Sequence, residues 1–268
     1  MRKYIVRATK MLSKKEPEKG LLLTLPNRAG RNKTGRITVR HQGGGVKRRY
    51  RIIDFGQGKM DLTAKVLALE YDPYRTAFIM LLQYTDGTKL YRLAPEGIKA
   101  GDEVVCKEKA DIKKGNRMKL MNIPIGTEIS DVELIPGLGA KMVRSAGSSA
   151  KVLAQEDKYV NLEMPSKEIR KVSKDCFATI GRVSHSEWRY IVIGKAGSSR
   201  RKGIRPGVRG SAMSPVDHPH GGGEGRAPIG LKYQKTPWGK PARGVKTRNP
   251  RRWTKKMIIQ RRRKDKKI

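Results

Sequence analysis

Leu62-Thr63-Ala64-Lys65-Val66-Leu67-Ala68-Leu69-Glu70-Tyr71 decides the fold class, because Leu62, Ala64, Val66 and Ala68 fall on one parity, the period of a strand and not of a helix. The next run, Thr76–Tyr84, sets Ile79 and Leu81 on one face, and Asp72-Pro73 and Asp86-Gly87 supply turn chemistry on either side. A helix over Ala77–Tyr84 is the alternative, but that run is short and bounded by Pro73 and Gly87. Working outward, strands are expected at Arg36–His41, Arg48–Phe55, Lys89–Leu93 and Asp102–Cys106. Short strands at intervals of about 10–15 residues, with no long helical pattern between them, predict a small antiparallel barrel.

Lys107–Leu120 is polar and basic, contains Gly115, and reads as a connection between domains. From Asn122 to about Ile193 a second strand-rich unit follows, with candidates at Ile129–Leu134, Lys141–Ala146, Lys151–Gln155, Tyr159–Met164, Glu168–Val172 and Ala178–Val183. Pro136-Gly137 and Glu156-Asp157-Lys158 are the intervening turns, and Ser186–Gly194 reads as a helical turn. After Lys195 the apolar supply collapses to Met257-Ile258-Ile259 beside Trp253, so the tail is expected to be extended or coiled, and largely disordered without a partner. The chain is therefore expected to be all-β: a basic extension over 1–30, a first barrel over 31–108, a second barrel with its leading linker over 109–194, and a basic tail over 195–268.

Charge follows the same division. Residues 1–50 hold 15 basic and two acidic side chains, residues 51–194 hold 23 and 19, and residues 195–268 hold 23 and three. The middle has the composition of an ordinary globular protein, whereas both ends are polycations that only a polyanion neutralises well. Cys106 and Cys176 lack CxxC spacing and are too few for a disulfide framework, which points to free buried thiols in a reducing compartment. No apolar run approaches a membrane span, and Met1–Arg7 lacks the apolar stretch of a secretory signal, so a soluble intracellular protein without a membrane partner is expected.

Three loops carry the candidate chemistry. Arg36–Arg51 places Arg36, Arg40, His41, Lys47, Arg48, Arg49 and Arg51 around the triplet Gly43-Gly44-Gly45. On strand alternation Arg36, Thr38 and Arg40 share an outward face while Ile37, Val39 and His41 pack inward, and Tyr50 offers a stacking surface. Guanidinium groups fork onto phosphate oxygens, so a polyanion is the expected ligand. Gly194–Gly210 repeats the logic with Lys195, Arg200, Arg201, Lys202, Arg205 and Arg209, but lacks the order of a nucleotide-binding P-loop. Met213–Arg226 has two internal prolines and four glycines; its candidate contacts are His218, His220, Gly221, Gly222, Gly223 and Arg226, with the glycines letting backbone lie against another molecule. Asp217, His218, His220 and Glu224 have the residue types of a metal or catalytic site, with Ser211 and Ser214 nearby. A structural zinc wants four ligands and both cysteines lie far upstream, so no metal and no catalytic residue is assigned.

Five motifs occur in order: Gly35–His41 with Gly43-Gly44-Gly45, Asn122-Ile123-Pro124 with Gly126-Thr127, Arg144–Gly147, Gly194–Gly197 and Pro215–Gly225. On these the chain, from about Gly30 onward, resembles the family of the second protein of the large ribosomal subunit, and the wording Asp217–Gly225 is similar to its bacterial or plastid members. Val46, Arg201 and Ser214 depart from the residues usual in that family, His, Trp and Asn respectively. The resemblance implies an OB-fold barrel, then an SH3-like barrel, then a tail threading rRNA near the peptidyl transferase centre. It further implies a structural, non-enzymatic role in subunit association and tRNA positioning. The implied partners are large-subunit rRNA, other ribosomal proteins and small-subunit rRNA at an intersubunit bridge, with no free homo-oligomer. A cytoplasmic ribosome is expected rather than an organellar one, with no cofactor beyond Mg²⁺ held through rRNA. A nucleoid-type DNA-binding protein would share the charge, but no reading helix or dimerisation heptad is evident. An RNA hydrolase centred on His220 would need a second catalytic constellation that the sequence lacks.

Overall fold

Antiparallel strands make up most of the regular structure in the computed structural model, which describes residues 12–55, 58–225 and 228–262; Met1–Arg7 and the candidate Arg226 lie outside them. Among these described residues, one compact unit gathers residues 12–25, Arg48–Val192 and residues 253–262, and a second gathers Pro26–Lys47 and Ile193–Arg252.

In the first unit, β1 (Leu22–Leu23) pairs β2 (Tyr50–Arg51), and β3 (Thr63–Glu70), β4 (Ile79–Tyr84), β5 (Lys89–Leu93) and β6 (Glu103–Val105) form a sheet in the order β5-β4-β3-β6. The run Ala77–Tyr84 is thus not a helix, and its Ile79–Tyr84 is strand. The β4–β5 turn closes as its residues require: the amide of Gly87 (φ 81°) donates to the Tyr84 carbonyl at 2.9 Å, and Asp86 accepts from the Thr88 amide at 3.0 Å. The parity expected along β3 holds for only half its length. The β3–β4 register shifts between Val66 and Ala68, which adds one residue to β3 and reverses the faces beyond it. Ala64, Val66 and Leu69 therefore pack with Met80 and Leu82, whereas Ala68 packs on the opposite side with Ile79, Leu81 and Tyr91.

The second sheet runs β15-β13-β12-β11-β8-β14-β7, all neighbours antiparallel, from β7 (Arg117–Lys119), β8 (Glu128–Ser130), β11 (Ala150–Gln155), β12 (Tyr159–Glu163), β13 (Ile169–Ser173), β14 (Phe177–Ile180) and β15 (Ile258–Gln260). β9 (Val132–Glu133) and β10 (Ala140–Met142) pair beside it, and Ile129, Val152, Leu162 and Val172 are among its core residues. Two expectations change here. Lys107–Leu120 is not simply a connection, because Arg117 and Met118 are buried in β7 against β14. The tail is not uniformly coiled, because the Lys171 amide donates to the Met257 carbonyl at 2.8 Å and β15 pairs β13. Ser186–Tyr190 is a 3-10 turn, and Cys106 and Cys176 are free and buried, burial pushing the Cys176 thiol up to about 12.

A buried ionic cluster ties this sheet together. The Arg117 guanidinium, with no exposed surface, donates to the Asp131 carbonyl at 2.7 Å, to the Thr179 hydroxyl at 3.3 Å and to Glu133 Oε1 at 3.0 Å. Glu133 Oε2 accepts from the amides of Phe177 (3.1 Å) and Gly137 (3.3 Å). Asp131 sits beside them in the left-handed region (φ 49°), and its Oδ1 is buried without a hydrogen-bond partner. Burial pushes its carboxyl up to about 6, against the pull of Arg117, Arg92 and Arg144. A native pKa above the unfolded value means that the fold binds this proton more tightly, so stability should fall as pH rises from about 4 through 6. Asp131→Asn keeps the shape, tolerates the left-handed backbone and cannot ionise. It should flatten that pH slope and gain on the order of 2 kcal/mol above neutrality, read by urea unfolding on either side of the window.

Candidate nucleic-acid interface

In the second unit the first two candidate loops meet through their backbones. Gln42 and Ile204 form an antiparallel bridge, the Gly43 amide donates to the Gly203 carbonyl at 3.0 Å, Val46 to Arg201 at 3.0 Å, and Arg205 to His41 at 3.0 Å. Glycine is needed for this approach: a Cβ on Gly45 (φ 93°) would lie 2.9 Å from the Gly203 nitrogen and 3.0 Å from the Arg201 carbonyl oxygen. That glycine faces the chain's own backbone.

Arg36–His41 is not the expected strand. Asn32 Oδ1 accepts from the amides of Thr34 and Arg36, both at 3.0 Å, and Gly30 accepts from Thr38 at 2.9 Å and Val39 at 3.1 Å, which curls the segment into turns. His41 takes φ 62°, and the apolar row expected to pack is largely in solvent, Ile37 at 59% and Val39 at 50% exposure. In the second candidate loop, Lys195 leads into a helix α1 (Ala196–Arg201) where a glycine loop is expected from the sequence. Gly203 (φ 86°) ends it, with its own amide on Arg200 at 2.9 Å and that of Ile204 on Ser199 at 3.1 Å; a glycine two positions after the last helical residue was the readable signal.

These two loops frame an open basin of about 750 Å³ whose lining includes Arg31, Arg40, His41, Gly43, Arg205 and Asp217. Arg31 was not among the expected contacts. Arg36, Lys47, Lys195, Arg201, Lys202 and Arg209 are exposed in this unit, while Arg200 is half-buried and its Nη1 has no hydrogen-bond partner. Arg48, Arg49 and Arg51 belong to the other unit. There the Arg48 guanidinium lies 4.3 Å from the Tyr74 ring centroid and donates to the Pro73 carbonyl at 3.2 Å; Tyr50 takes an edge contact with Tyr74 and a hydrogen bond from Arg75 at 2.8 Å. Arg51 is buried, its Nη1 donating to the Arg49 carbonyl at 2.9 Å.

The glycine-histidine loop is likewise folded on itself. A Cβ on Gly221 would fall 2.2 Å from the Ser214 carbonyl oxygen, the Gly221 amide donates to His218 at 2.8 Å and the Gly222 amide to Met213 at 3.1 Å. His218 is buried over Gly210 and its Nδ1 accepts from the His220 amide at 3.0 Å. His220 Nε2 accepts from the Lys235 amide at 2.9 Å, so this imidazole clamps a segment fifteen residues further along. That segment is a hairpin closed by the bridge Lys235↔Pro241, which the pair Pro237 and Gly239 could have signalled.

Two small β cores and a glycine-dependent scaffold of exposed cations define a structural nucleic-acid-binding protein, one whose loops are shaped internally and await a polyanion. Residues 18–106 match the family described as Ribosomal Proteins L2, RNA binding N-terminal domain, and residues 113–239 match Ribosomal Proteins L2, C-terminal domain. The chain belongs to the ribosomal protein L2 family. Its first sheet is accordingly the OB-fold barrel and its second the SH3-like barrel, and the protein is an RNA-binding constituent of the large ribosomal subunit.

Proposed function

We propose that this chain organises rRNA near the peptidyl transferase centre without taking part in the chemistry, and that it supports subunit association and tRNA positioning. The supporting observation is the use of His220: its Nε2 is occupied by the Lys235 amide at 2.9 Å, the nitrogen a general base would have to leave open. Its phosphate contacts are assigned to the exposed cations of the second unit, above all Arg36, Arg40, Lys47, Arg201, Lys202, Arg205 and Arg209. Other ribosomal proteins and, at an intersubunit bridge, small-subunit rRNA complete the partners. Mg²⁺ enters through the rRNA, and the particle is cytoplasmic.

Reconstituted large subunits test this reading. His220→Gln keeps an acceptor for the Lys235 amide and cannot titrate, so its particles should retain most peptide-bond formation. His220→Ala releases the 235–241 hairpin and should lose activity mainly through defective assembly, seen as lighter particles on a gradient. A Gln variant as inactive as Ala in fully assembled particles would make the histidine catalytic.

A further inference from the structure

We propose that Trp238, at the tip of the 235–241 hairpin, is a stacking platform for an unpaired nucleobase of rRNA. The proposal rests on the rRNA-binding reading above and adds a contact to base where that reading has only phosphate. Thr236-Pro237-Trp238-Gly239-Lys240 builds the tip from local chemistry. Proline pre-sets the first loop position, and Gly239 takes the positive φ of 75° that a three-residue connection needs at its end. The Gly239 amide donates to the Thr236 carbonyl at 2.9 Å, the Thr236 amide to Lys240 at 2.7 Å and the Ala242 amide to Gln234 at 2.8 Å; the Lys240 amide also reaches the Thr236 hydroxyl at 3.2 Å. His220 fixes the base of the hairpin through Lys235.

On this braced tip the indole is 74% exposed. Tyr233, 66% exposed, stands before the hairpin with the Lys232 ammonium 5.8 Å from its ring centroid. A large apolar ring held out in water by a rigid turn is a binding feature, since its burial against a partner is favourable and its ordering has already been met by the hairpin. The surroundings select the partner. From Gly225 to Lys264 there is no Asp or Glu, and Lys232, Lys235, Lys240 and Arg243 surround the tip in sequence. A protein pocket receiving the indole would have to take in those cations as well, whereas a nucleobase arrives with phosphates that neutralise them. Any base offers a π face to an indole, but only an unpaired one has that face open.

Trp188 and Trp253 are the other two tryptophans, so Phe at both leaves Trp238 as the single indole of the full chain. Titration with a large-subunit rRNA transcript should quench its emission. Trp238→Ala should weaken rRNA binding roughly tenfold or more with the salt slope unchanged, because stacking is lost and no phosphate contact is, and Trp238→Phe should restore most of the affinity. Unchanged affinity in Trp238→Ala, an unquenched indole in the bound state, or a loss accompanied by a shallower salt slope would each overturn the stacking role while leaving rRNA binding intact. A wild-type chain with no salt-dependent rRNA binding would sink the rRNA-binding reading itself.

Discussion

Affinity for a large-subunit rRNA transcript should fall about 10³- to 10⁴-fold between roughly 50 and 200 mM monovalent salt, if as few as about eight of the 61 basic side chains meet phosphate. Each phosphate neutralised releases condensed counterions, and returning those ions becomes easier as salt rises. The slope of log affinity against log salt therefore counts contacts. The structure divides the cations that should enter the count from those that should not. Arg36→Gln or Arg40→Gln removes an exposed charge from a loop already pinned by its own backbone, and each should lower the slope by about 0.7–0.9. Arg51→Gln should leave the slope where it was, because that guanidinium is buried and bonded to the Arg49 carbonyl. Filter binding over a salt series reads all three. A wild-type slope near zero would remove the electrostatic basis of binding.

The largest stability effect should follow Arg117→Met. The substitution fills much of the volume but takes the Arg117 guanidinium away from the buried Glu133 carboxylate and leaves the Asp131 carbonyl and Thr179 hydroxyl without that donor. Removing one member of such a pair costs about 3–5 kcal/mol, a large part of the stability of a small domain. Adding Glu133→Leu should restore only part of this, since the amides of Phe177 and Gly137 would then have lost their acceptor. Urea unfolding followed through the second barrel is the measurement, and a loss below about 1 kcal/mol for Arg117→Met would mean that water or rearrangement solvates the carboxylate.

What the sequence made legible was whatever local chemistry alone determines. The strands β4 and β5 and the Asp86-Gly87 turn could be read from parity and turn residues. The bulge near Leu67 could not, because nothing local marks an extra residue that only the partner strand reveals. β7 was hidden by its polarity: Arg117 looks like a linker residue until Glu133, sixteen positions away, is known to face it. For the site, the cationic loops were evident from charge, but their mutual pairing was not, since Gly45 and Gly203 declare no preference for each other in sequence. The same holds for Gly221, whose sequence context suggests a partner-facing backbone but which lies against Ser214. Trp238 is not legible in sequence, because a single aromatic in a basic tail acquires meaning only once the hairpin fixes it.

The pairing of β15 with β13 sets a delay into the making of this protein. Some 85 residues separate Ser173 from Ile258, which at about 5–20 residues per second is a gap of roughly 4–17 s during synthesis. Through that interval the outer amides and carbonyls of β13 are a bare template for any other nascent strand. Arg170 and Lys171 lie within it, charges that discourage such misassociation until the last-made strand takes its place.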